Sequence, residues 1–310
     1  MKPIYVYSKM PKYQIDKDLM LLSRIKYKRH STLQRYLMNA FFKTTLIFNK
    51  PKAPIIRKVI TIKAIDGTPI QCYFYHQGDK LEKPLLLYFH GGGFQMEGTF
   101  IHQGMIERFV LESNINVMYV KYRLMPEVVF PKPFEDAIAT YQYVKSHKNQ
   151  YRITELYVAG DSAGGHLAYS LSLYDLREGN QLIKKTMLIY PVLTYIHEFA
   201  SHKMYTDTPM WNQSLNKAMW QQYLKLAKDK TYADLLSINP KGLGKVYLET
   251  AEFDPLRDEG IALEHVLDEA DVTVSSYHTK YTVHGYDALP LAGITKEMMQ
   301  HRIDFLKESL

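Results

Sequence analysis

The sequence predicts an α/β protein with a mostly parallel central sheet flanked by helices, and three observations support this prediction. After residues 1–50, two predicted strands are linked through Asp66-Gly67, which is a strong hairpin signal. From residue 85 onward, short apolar runs alternate with stretches of helical periodicity, as in successive βαβ units. The 310 residues and the 46% apolar content suit one large globular domain of this class. An antiparallel start followed by βαβ alternation implies a sheet that is covered on both faces.

The individual elements follow from the same patterns. Strands are predicted where β-branched and aromatic residues concentrate, at 58–65, 70–76, 85–89, 117–122, 156–159, 187–190, 246–250 and 272–277. Helices are predicted where apolar residues recur at helical spacing, at about 16–29, 32–48, 103–112, 133–146, 163–177, 257–269 and 296–308. Functional residues of such a sheet lie at the carboxyl ends of its strands, so candidates should directly follow these runs.

Two regions stand apart from this alternation. Residues 1–50 are predicted to be a helical segment, and the apolar residues at helical spacing within 32–48 are Leu33, Leu37, Ala40, Phe41 and Ile47. Pro51 and Pro54 then interrupt the pattern and predict a boundary near residue 51. Residues 51–310 form the main domain, and about 195–240 are predicted to be a helical insertion that contains both tryptophans, Trp211 and Trp220.

The net charge of +7 is unevenly distributed. Residues 1–50 hold 11 Lys/Arg and 2 Asp/Glu, a charge of +9, and the remainder holds 28 basic and 30 acidic residues, a charge of −2. The basic run Lys26-Tyr27-Lys28-Arg29-His30 is compatible with binding to a membrane surface or a nucleic acid. The solvated outer face of a helix is the favoured interpretation. We therefore expect no nucleic-acid partner and at most weak, salt-sensitive contact with anionic membranes.

The single cysteine, Cys72, excludes an intramolecular disulfide and favours a reducing compartment. It lies within a predicted strand and is interpreted as a buried core residue. The first nine residues contain no continuous apolar run, and no stretch of 18 or more apolar residues occurs. These features predict a cytoplasmic protein, whereas the oligomeric state is left open.

The strongest chemical signal is the motif Gly160-Asp161-Ser162-Ala163-Gly164-Gly165, which contains G-x-S-x-G. It follows the predicted strand 156–159 and opens the predicted helix 163–177, which is the context of a nucleophile elbow. A serine in that strained turn requires small neighbours, because the strand and the helix pass close to each other. The helix N-terminus also favours a developing negative charge. Ser162 is therefore the candidate nucleophile.

A glycine-rich loop, His90-Gly91-Gly92-Gly93-Phe94, directly follows the predicted strand 85–89. Consecutive glycines allow backbone N–H groups to turn toward a substrate oxygen, and with the N–H of Ala163 they predict an oxyanion hole. Alone, such a loop would be interpreted as merely flexible. Its occurrence together with the serine elbow favours the functional interpretation.

An acid and a base complete the pattern. Asp254 comes first after the predicted strand 246–250, whereas Asp258 would lie one turn into the next helix and is the weaker candidate. His284 follows the predicted strand 272–277 in a loop and is the candidate general base, with His278 as its one rival. The chain order Ser162, Asp254, His284 is that of an α/β-hydrolase triad.

These motifs resemble those of the hormone-sensitive-lipase-like family of α/β-hydrolase esterases and lipases. The resemblance covers about residues 84–305 and rests on five ordered motifs: His90-Gly91-Gly92-Gly93, Tyr122-Arg123-Leu124-Met125-Pro126-Glu127, Gly160-Asp161-Ser162-Ala163-Gly164-Gly165, Asp254-Pro255-Leu256-Arg257-Asp258 and His284-Gly285-Tyr286. The second motif departs from the family, which usually has Ala where Met125 stands.

The resemblance implies an α/β-hydrolase fold with a helical cap, for which residues 1–50 and 195–240 are the candidates. It also implies a serine carboxylesterase that acts on small-molecule esters of short to medium acyl chains, with the amides of Gly92, Gly93 and Ala163 as oxyanion donors. Neither a metal nor an organic cofactor is expected.

Two rival interpretations remain at this stage. An amidase or peptidase would use the same triad, because acyl transfer is common to all of these enzymes. A non-catalytic ligand-binding protein could also share the fold, although such a protein would be expected to lack a triad member. Neither the acyl chain length, the leaving group nor the physiological substrate follows from the sequence.

Overall fold

The computed structural model describes residues 12–26, 31–78 and 82–309. Its centre is an eight-stranded sheet with the strand order β1-β2-β4-β3-β5-β6-β7-β8. The strands are β1 Ile55–Lys63, β2 Pro69–Gln77, β3 Lys83–Phe89, β4 Asn116–Val120, β5 Ile153–Asp161, β6 Ile183–Ile189, β7 Lys245–Phe253 and β8 Val274–Val283. Strand β2 is antiparallel to both of its neighbours, and all pairs from β4 to β8 are parallel. The predicted fold class is therefore confirmed.

The α-helices in the described part of the chain are α1 Met20–Ser23, α2 Thr32–Phe48, α3 Phe100–Glu112, α4 Lys132–Ser146, α5 Ala163–Arg177, α6 Ala200–Met204, α7 Gln213–Tyr223, α8 Arg257–Glu269 and α9 Gly293–Lys307. Helix α2 begins at a capping box in which Ser31 and Gln34 satisfy each other's backbone amides. None of the helices in the described ranges is long and apolar enough to cross a bilayer.

Two predicted elements differ most from the structure. The helix predicted at 16–29 is reduced to a 3₁₀ turn at Lys17–Leu19 and the single turn of α1, and residues 27–30, with most of the basic run, lie outside the described residues. Strand β8 extends to Val283 rather than ending at 277, so His284 directly follows the strand instead of lying in a loop beyond it. The β8 pairing continues past an irregularity between Ala251 and Phe253 of β7.

The core lies on both faces of the sheet because side chains alternate along each strand. In β3, the side chains of Leu85, Leu87 and Phe89 pack in the apolar cluster on one face of the sheet. Those of Leu86 and Tyr88 pack in the cluster on the other face. The first cluster includes residues of α4, α5 and α8, and the second includes residues of α3 and α9. Both faces of the sheet are therefore covered by helices, which leaves the carboxyl ends of the strands as the place for the site.

Candidate active site

Ser162 lies in a sharp turn between β5 and α5. Its backbone has φ 54° and ψ −119°, a conformation that is strained for a residue with a side chain. A Cβ placed on Gly160 would lie 2.2 Å from the backbone oxygen of Gly164, and one on Gly164 would lie 2.0 Å from the oxygen of Phe89. The G-x-S-x-G pattern is therefore a steric requirement of this turn. The turn is held by the Ser162 amide, which donates to the carbonyl of Ile189 at 2.9 Å.

The structure brings together the three side chains predicted as a triad. The distance between Ser162 Oγ and His284 Nε2 is 2.9 Å, and that between His284 Nδ1 and Asp254 Oδ2 is 2.6 Å. All three residues are buried. Each follows the carboxyl end of a strand: Asp254 follows β7, His284 follows β8, and Ser162 follows β5.

The direction of the hydrogen bonds is set by the carboxylate, which can only accept. His284 Nδ1 therefore carries the proton that is donated to Asp254, and the free lone pair of Nε2 accepts from the hydroxyl of Ser162. The other carboxylate oxygen of Asp254 accepts from the amide of Leu256 at 2.9 Å. This is the arrangement in which a histidine can remove the proton of a serine hydroxyl.

The rival residues lie in other surroundings. Asp258 accepts from the amide of Ser201 at 2.7 Å and thereby attaches the start of α6 to α8. His278 Nε2 lies 2.8 Å from Glu264 and its Nδ1 lies 2.7 Å from Thr250 Oγ1, so both ring nitrogens have partners outside the triad. Neither residue contacts Ser162.

The predicted oxyanion donors lie in the loop after β3 and at the start of α5. Gly92 and Gly93 follow β3 with φ values of +117° and +60°, a region that favours glycine. Ala163 is the first residue of α5, and its amide therefore has no acceptor within the helix. The indole of Trp211 limits the space beside Gly93, since a Cβ there would lie 3.0 Å from Trp211 Cη2. The ring centroids of Trp211 and His284 are 6.0 Å apart, so this indole lies beside both predicted parts of the site.

Asp161, the second residue of the elbow motif, fixes the glycine loop through hydrogen bonds of its carboxylate. Its Oδ1 accepts from the Tyr88 hydroxyl at 2.6 Å and from the Gly91 amide at 3.0 Å, and its Oδ2 lies 3.4 Å from His102 Nε2. Burial alone would raise the pKa of this carboxyl, but attraction to His102 and the hydrogen bonds from His102 and Tyr88 hold it at about 2. Asp161 is therefore ionised and fixes the start of the loop.

His90, the first residue of the glycine loop, is buried and neutral. Its Nδ1 donates to the carbonyl of Gly91 at 2.7 Å, and its ring stacks on Tyr122 with centroids 4.6 Å apart. Burial lowers the pKa of His90 to about 3. Its role is thus to shape the loop rather than to transfer protons.

A buried ionic network supports the histidine and was missed by sequence reasoning. Arg302 of α9 donates to Glu249 at 2.7 and 3.0 Å and to Asp287 at 3.0 Å. Asp287 also accepts from the hydroxyl of Tyr190 at 2.5 Å, and the Tyr190 ring packs edge-on against His284 with centroids 4.8 Å apart. The one available signal was the position of Asp287, three residues after His284.

The region predicted as an insertion packs aromatic side chains against the glycine loop and helix α5. Tyr223 of α7 stacks on Phe94 of the glycine loop with centroids 4.0 Å apart and an interplanar angle of 5°. Trp220 packs edge-on against His166, and burial lowers the pKa of His166 to about 4.

Over 12–26, 31–78 and 82–309, no group of three or more metal-ligating side chains is arranged to hold an ion.

Several known proteins are similar to this chain in sequence and in fold. A family model described as alpha/beta hydrolase fold matches residues 86–288. The chain is 31% identical to the esterase LipI of Mycobacterium tuberculosis over 248 residues, which is 76% of this chain and 78% of that protein. It is 27% identical to an ethyl acetate hydrolase of Pseudomonas putida over 241 residues, 74% of this chain and 76% of that protein. A thermostable esterase from Pseudomonas putida ECU1011 superimposes with a TM-score of 0.83 at 29% identity, covering 94% of this chain and 97% of that one.

The fold and the relatives define an ester-hydrolysing enzyme. The chain belongs to the hormone-sensitive-lipase-like family of α/β-hydrolase esterases, as the motifs predicted. Its relatives imply that it acts on small-molecule carboxylic esters.

Proposed function

We propose that the protein is a serine carboxylesterase in which Ser162, His284 and Asp254 act through an acyl-enzyme intermediate. The observation that carries this proposal is the continuous hydrogen-bonded chain from Ser162 Oγ to His284 at 2.9 Å and from His284 to Asp254 at 2.6 Å. The nucleophile, its base and the group that orients the base are thus within contact in one buried site.

In the acylation step, Ser162 Oγ attacks the ester carbonyl while its proton moves to His284 Nε2. The Asp254 carboxylate stabilises the imidazolium that forms. The negative charge on the carbonyl oxygen would be held by the amides of Gly92, Gly93 and Ala163, and one such donor contributes about 3 kcal/mol in comparable sites. His284 then gives the proton to the departing alkoxide, and the alcohol leaves.

In the deacylation step, water replaces the alcohol. His284 removes a proton from the water as its oxygen attacks the acyl carbon, and the same donors hold the second oxyanion. Collapse of this intermediate breaks the bond to Ser162 Oγ, which recovers its proton from His284. The carboxylic acid is released and the enzyme returns to its initial state.

We propose short to medium acyl chains as substrates. Trp211 supports this limit because its indole lies against Gly93 and close to His284, where it occupies space beside the reacting carbonyl. The ethyl acetate hydrolase among the relatives bears a name that fits a small ester.

We also propose that residues 1–50 and about 195–240 together form a cap over the site. Asn39 of α2 bonds the Gln95 carbonyl at 2.8 Å and the Glu97 amide at 3.0 Å, just after the glycine loop. Glu259 of α8 accepts from the amides of Leu193 and Thr194 at 2.8 and 3.2 Å, which anchors the chain where it enters the second region.

A cytoplasmic location stays a prediction, and the buried single cysteine is compatible with it.

The test is hydrolysis of p-nitrophenyl esters from acetyl to palmitoyl by the wild type and by Ser162→Ala. We expect activity that is highest at the short to medium chains and a loss of kcat of about a millionfold in the variant. Ser214→Ala, at an exposed serine of α7, is the control and should keep full activity. A fluorophosphonate probe should add its mass to the wild type and to Ser214→Ala but not to Ser162→Ala.

Turnover close to the wild-type rate by folded Ser162→Ala would contradict the mechanism. A maximum at palmitoyl would contradict the proposed chain length and leave the triad intact. Matched p-nitroanilides separate the remaining alternative, since faster cleavage of the amides than of the esters would indicate an amidase.

A further inference from the structure

The outer face of helix α2 is apolar and open to solvent. Leu33, Leu37, Phe41 and Phe48 are 68%, 62%, 61% and 78% exposed. Their spacing of four, four and seven residues places them along one side of the helix. Tyr36, Ala40 and Ile47 are also exposed and widen this surface, which we call the α2 stripe. The opposite side contains the buried residues Arg35 and Leu46 and the contact of Asn39 with the loop.

The α2 stripe is unusual for the surface of a soluble domain. It extends over 16 positions of the helix, about 24 Å at 1.5 Å per residue. None of its own side chains is charged. Lys43 borders it on one side, and the exposed carboxylate of Glu127 accepts from the hydroxyl of Tyr36 at its edge. Burying one such leucine or phenylalanine side chain is worth roughly 1.5–3 kcal/mol, so the stripe retains apolar surface that folding has not used. Large contiguous apolar surfaces of this kind commonly mark interaction sites.

The charge around the stripe indicates the partner. Residues 19–65 contain eleven Lys/Arg and no Asp/Glu. Among them, Lys43 on α2 and Lys50 and Lys52 just beyond its C-terminus are exposed. An apolar helix face bordered by lysines matches an anionic lipid surface, where the side chains enter the acyl boundary and the ammonium groups meet phosphates. A second copy would bring two acid-free, basic segments together, and their repulsion opposes that arrangement.

We propose that the α2 stripe binds the surface of anionic membranes, with α2 lying in the plane of the interface. The helix is fixed to the body through Asn39 and through Arg57, which donates to the carbonyls of Leu46 and Ile47 at 2.6 and 2.8 Å. Docking through α2 therefore holds the whole enzyme at the lipid. Membrane binding itself does not depend on the proposed function. Access to esters dissolved in the membrane would follow from this binding, and that consequence rests on the proposed function.

The test uses the full chain with Ser162→Ala, so that binding is measured without turnover. Co-sedimentation with vesicles of equal phosphatidylglycerol and phosphatidylcholine is compared with pure phosphatidylcholine. The stripe variant is Leu37→Gln with Phe41→Gln. The matched control is Leu226→Gln with Leu291→Gln, which changes two residues that are 71% and 80% exposed outside the stripe.

We expect binding to the anionic vesicles, at least tenfold weaker binding by the stripe variant, and no change in the control. Substitution of Lys43, Lys50 and Lys52 by glutamine should weaken binding to the anionic vesicles and reduce the dependence of binding on salt. Because all substituted residues are exposed, circular dichroism and the Tm should stay unchanged. Failure of the parent chain to bind, or equal binding by the stripe variant, would overturn the proposal.

Self-association is the competing outcome. If the protein is a dimer in solution that Leu37→Gln with Phe41→Gln converts to a monomer, and it does not bind vesicles, the stripe is an interface between copies and the proposal is wrong. Loss of ester hydrolysis in the Ser162-containing chain would affect the proposed function alone, since vesicle binding is scored in the inactive protein.

Discussion

The body of the protein, by which we mean the central sheet and the helices packed on it, differs from helix α2 in which side chains are buried and which are exposed. In the body, charged groups are buried and satisfied: Arg302 and Glu249 are both fully enclosed and joined by two hydrogen bonds. On α2, by contrast, the large apolar side chains of Phe41 and Phe48 are exposed. The body can be explained by the needs of folding and of a fixed catalytic site. The surface of α2 cannot, which is why an external partner is the more economical explanation for it.

We expect the largest loss of stability from breaking the buried ionic network around Arg302. Arg302→Met leaves Glu249 as a buried carboxylate without its cation, and it releases Asp287 near His284, the proposed general base. Breaking one partner of a buried pair costs about 3–5 kcal/mol, so we expect the free energy of unfolding to fall by that amount. Urea denaturation measures it.

A surface ion pair is the matched control for this change. Arg108 and Glu112 form an i,i+4 pair on α3 with a nitrogen–oxygen distance of 2.6 Å, and their side chains are 37% and 40% exposed. Arg108→Met should therefore cost at most about 0.5 kcal/mol. Adding Glu249→Gln to Arg302→Met should recover part of the loss. Equal stability of Arg302→Met and Arg108→Met would show that the network does not stabilise the body.

The second prediction concerns the pH dependence of the body. The folded-state pKa of His90 is lowered to about 3, whereas an unfolded histidine titrates near 6.5. Between these values the unfolded chain binds a proton that the folded chain does not, so acid favours unfolding. This stability is fully present above pH of about 6.5 and is lost as the pH falls toward 3. The contribution is about 1.4 kcal/mol per pH unit within that window.

The measurement is the free energy of unfolding between pH 6.5 and 4.5 for the wild type and His90→Gln. We expect a flatter dependence in the variant, by about one proton. His166, with a pKa lowered to about 4, leaves a residual slope of the same sign in both proteins. Identical slopes would mean that His90 is already protonated in the folded state or that its burial has no energetic consequence.

Sequence reasoning recovered the elements that depend on local patterns. The nucleophile, acid and base candidates each follow a run of apolar residues, and a motif can be recognised there without knowing the fold. Arg302 could not be found in this way, because its partners Glu249 and Asp287 are 53 and 15 residues away and become neighbours only when α9 packs on the sheet. The end of β8 was also missed, since residues 278–281 lack an apolar run, and Thr279 alone among them is buried.

Helix α2 shows a different limit. Its predicted bounds, 32–48, are those of the structure, and its apolar residues were identified by their spacing. Periodicity defines a face but does not say which way it points, and α2 carries apolar residues such as Leu46 on its inner side as well. Only the packing of the helix on the body distinguishes the covered face from the exposed one.

The smallest effect is expected where the two regions meet. Asn39→Ala removes both side-chain hydrogen bonds from α2 to the loop at Gln95 and Glu97. Two half-buried bonds of this kind are worth about 1–2 kcal/mol in total, which corresponds to roughly tenfold lower protection of the α2 amides in hydrogen exchange. Protection of the central strands should stay at the wild-type level, because these bonds do not contribute to the sheet. Thr44→Ala, on the outer side of α2, is the control and should leave both unchanged. If protection falls in the strands as well as in α2, the helix is an integral part of the body and the contrast between the two regions is wrong.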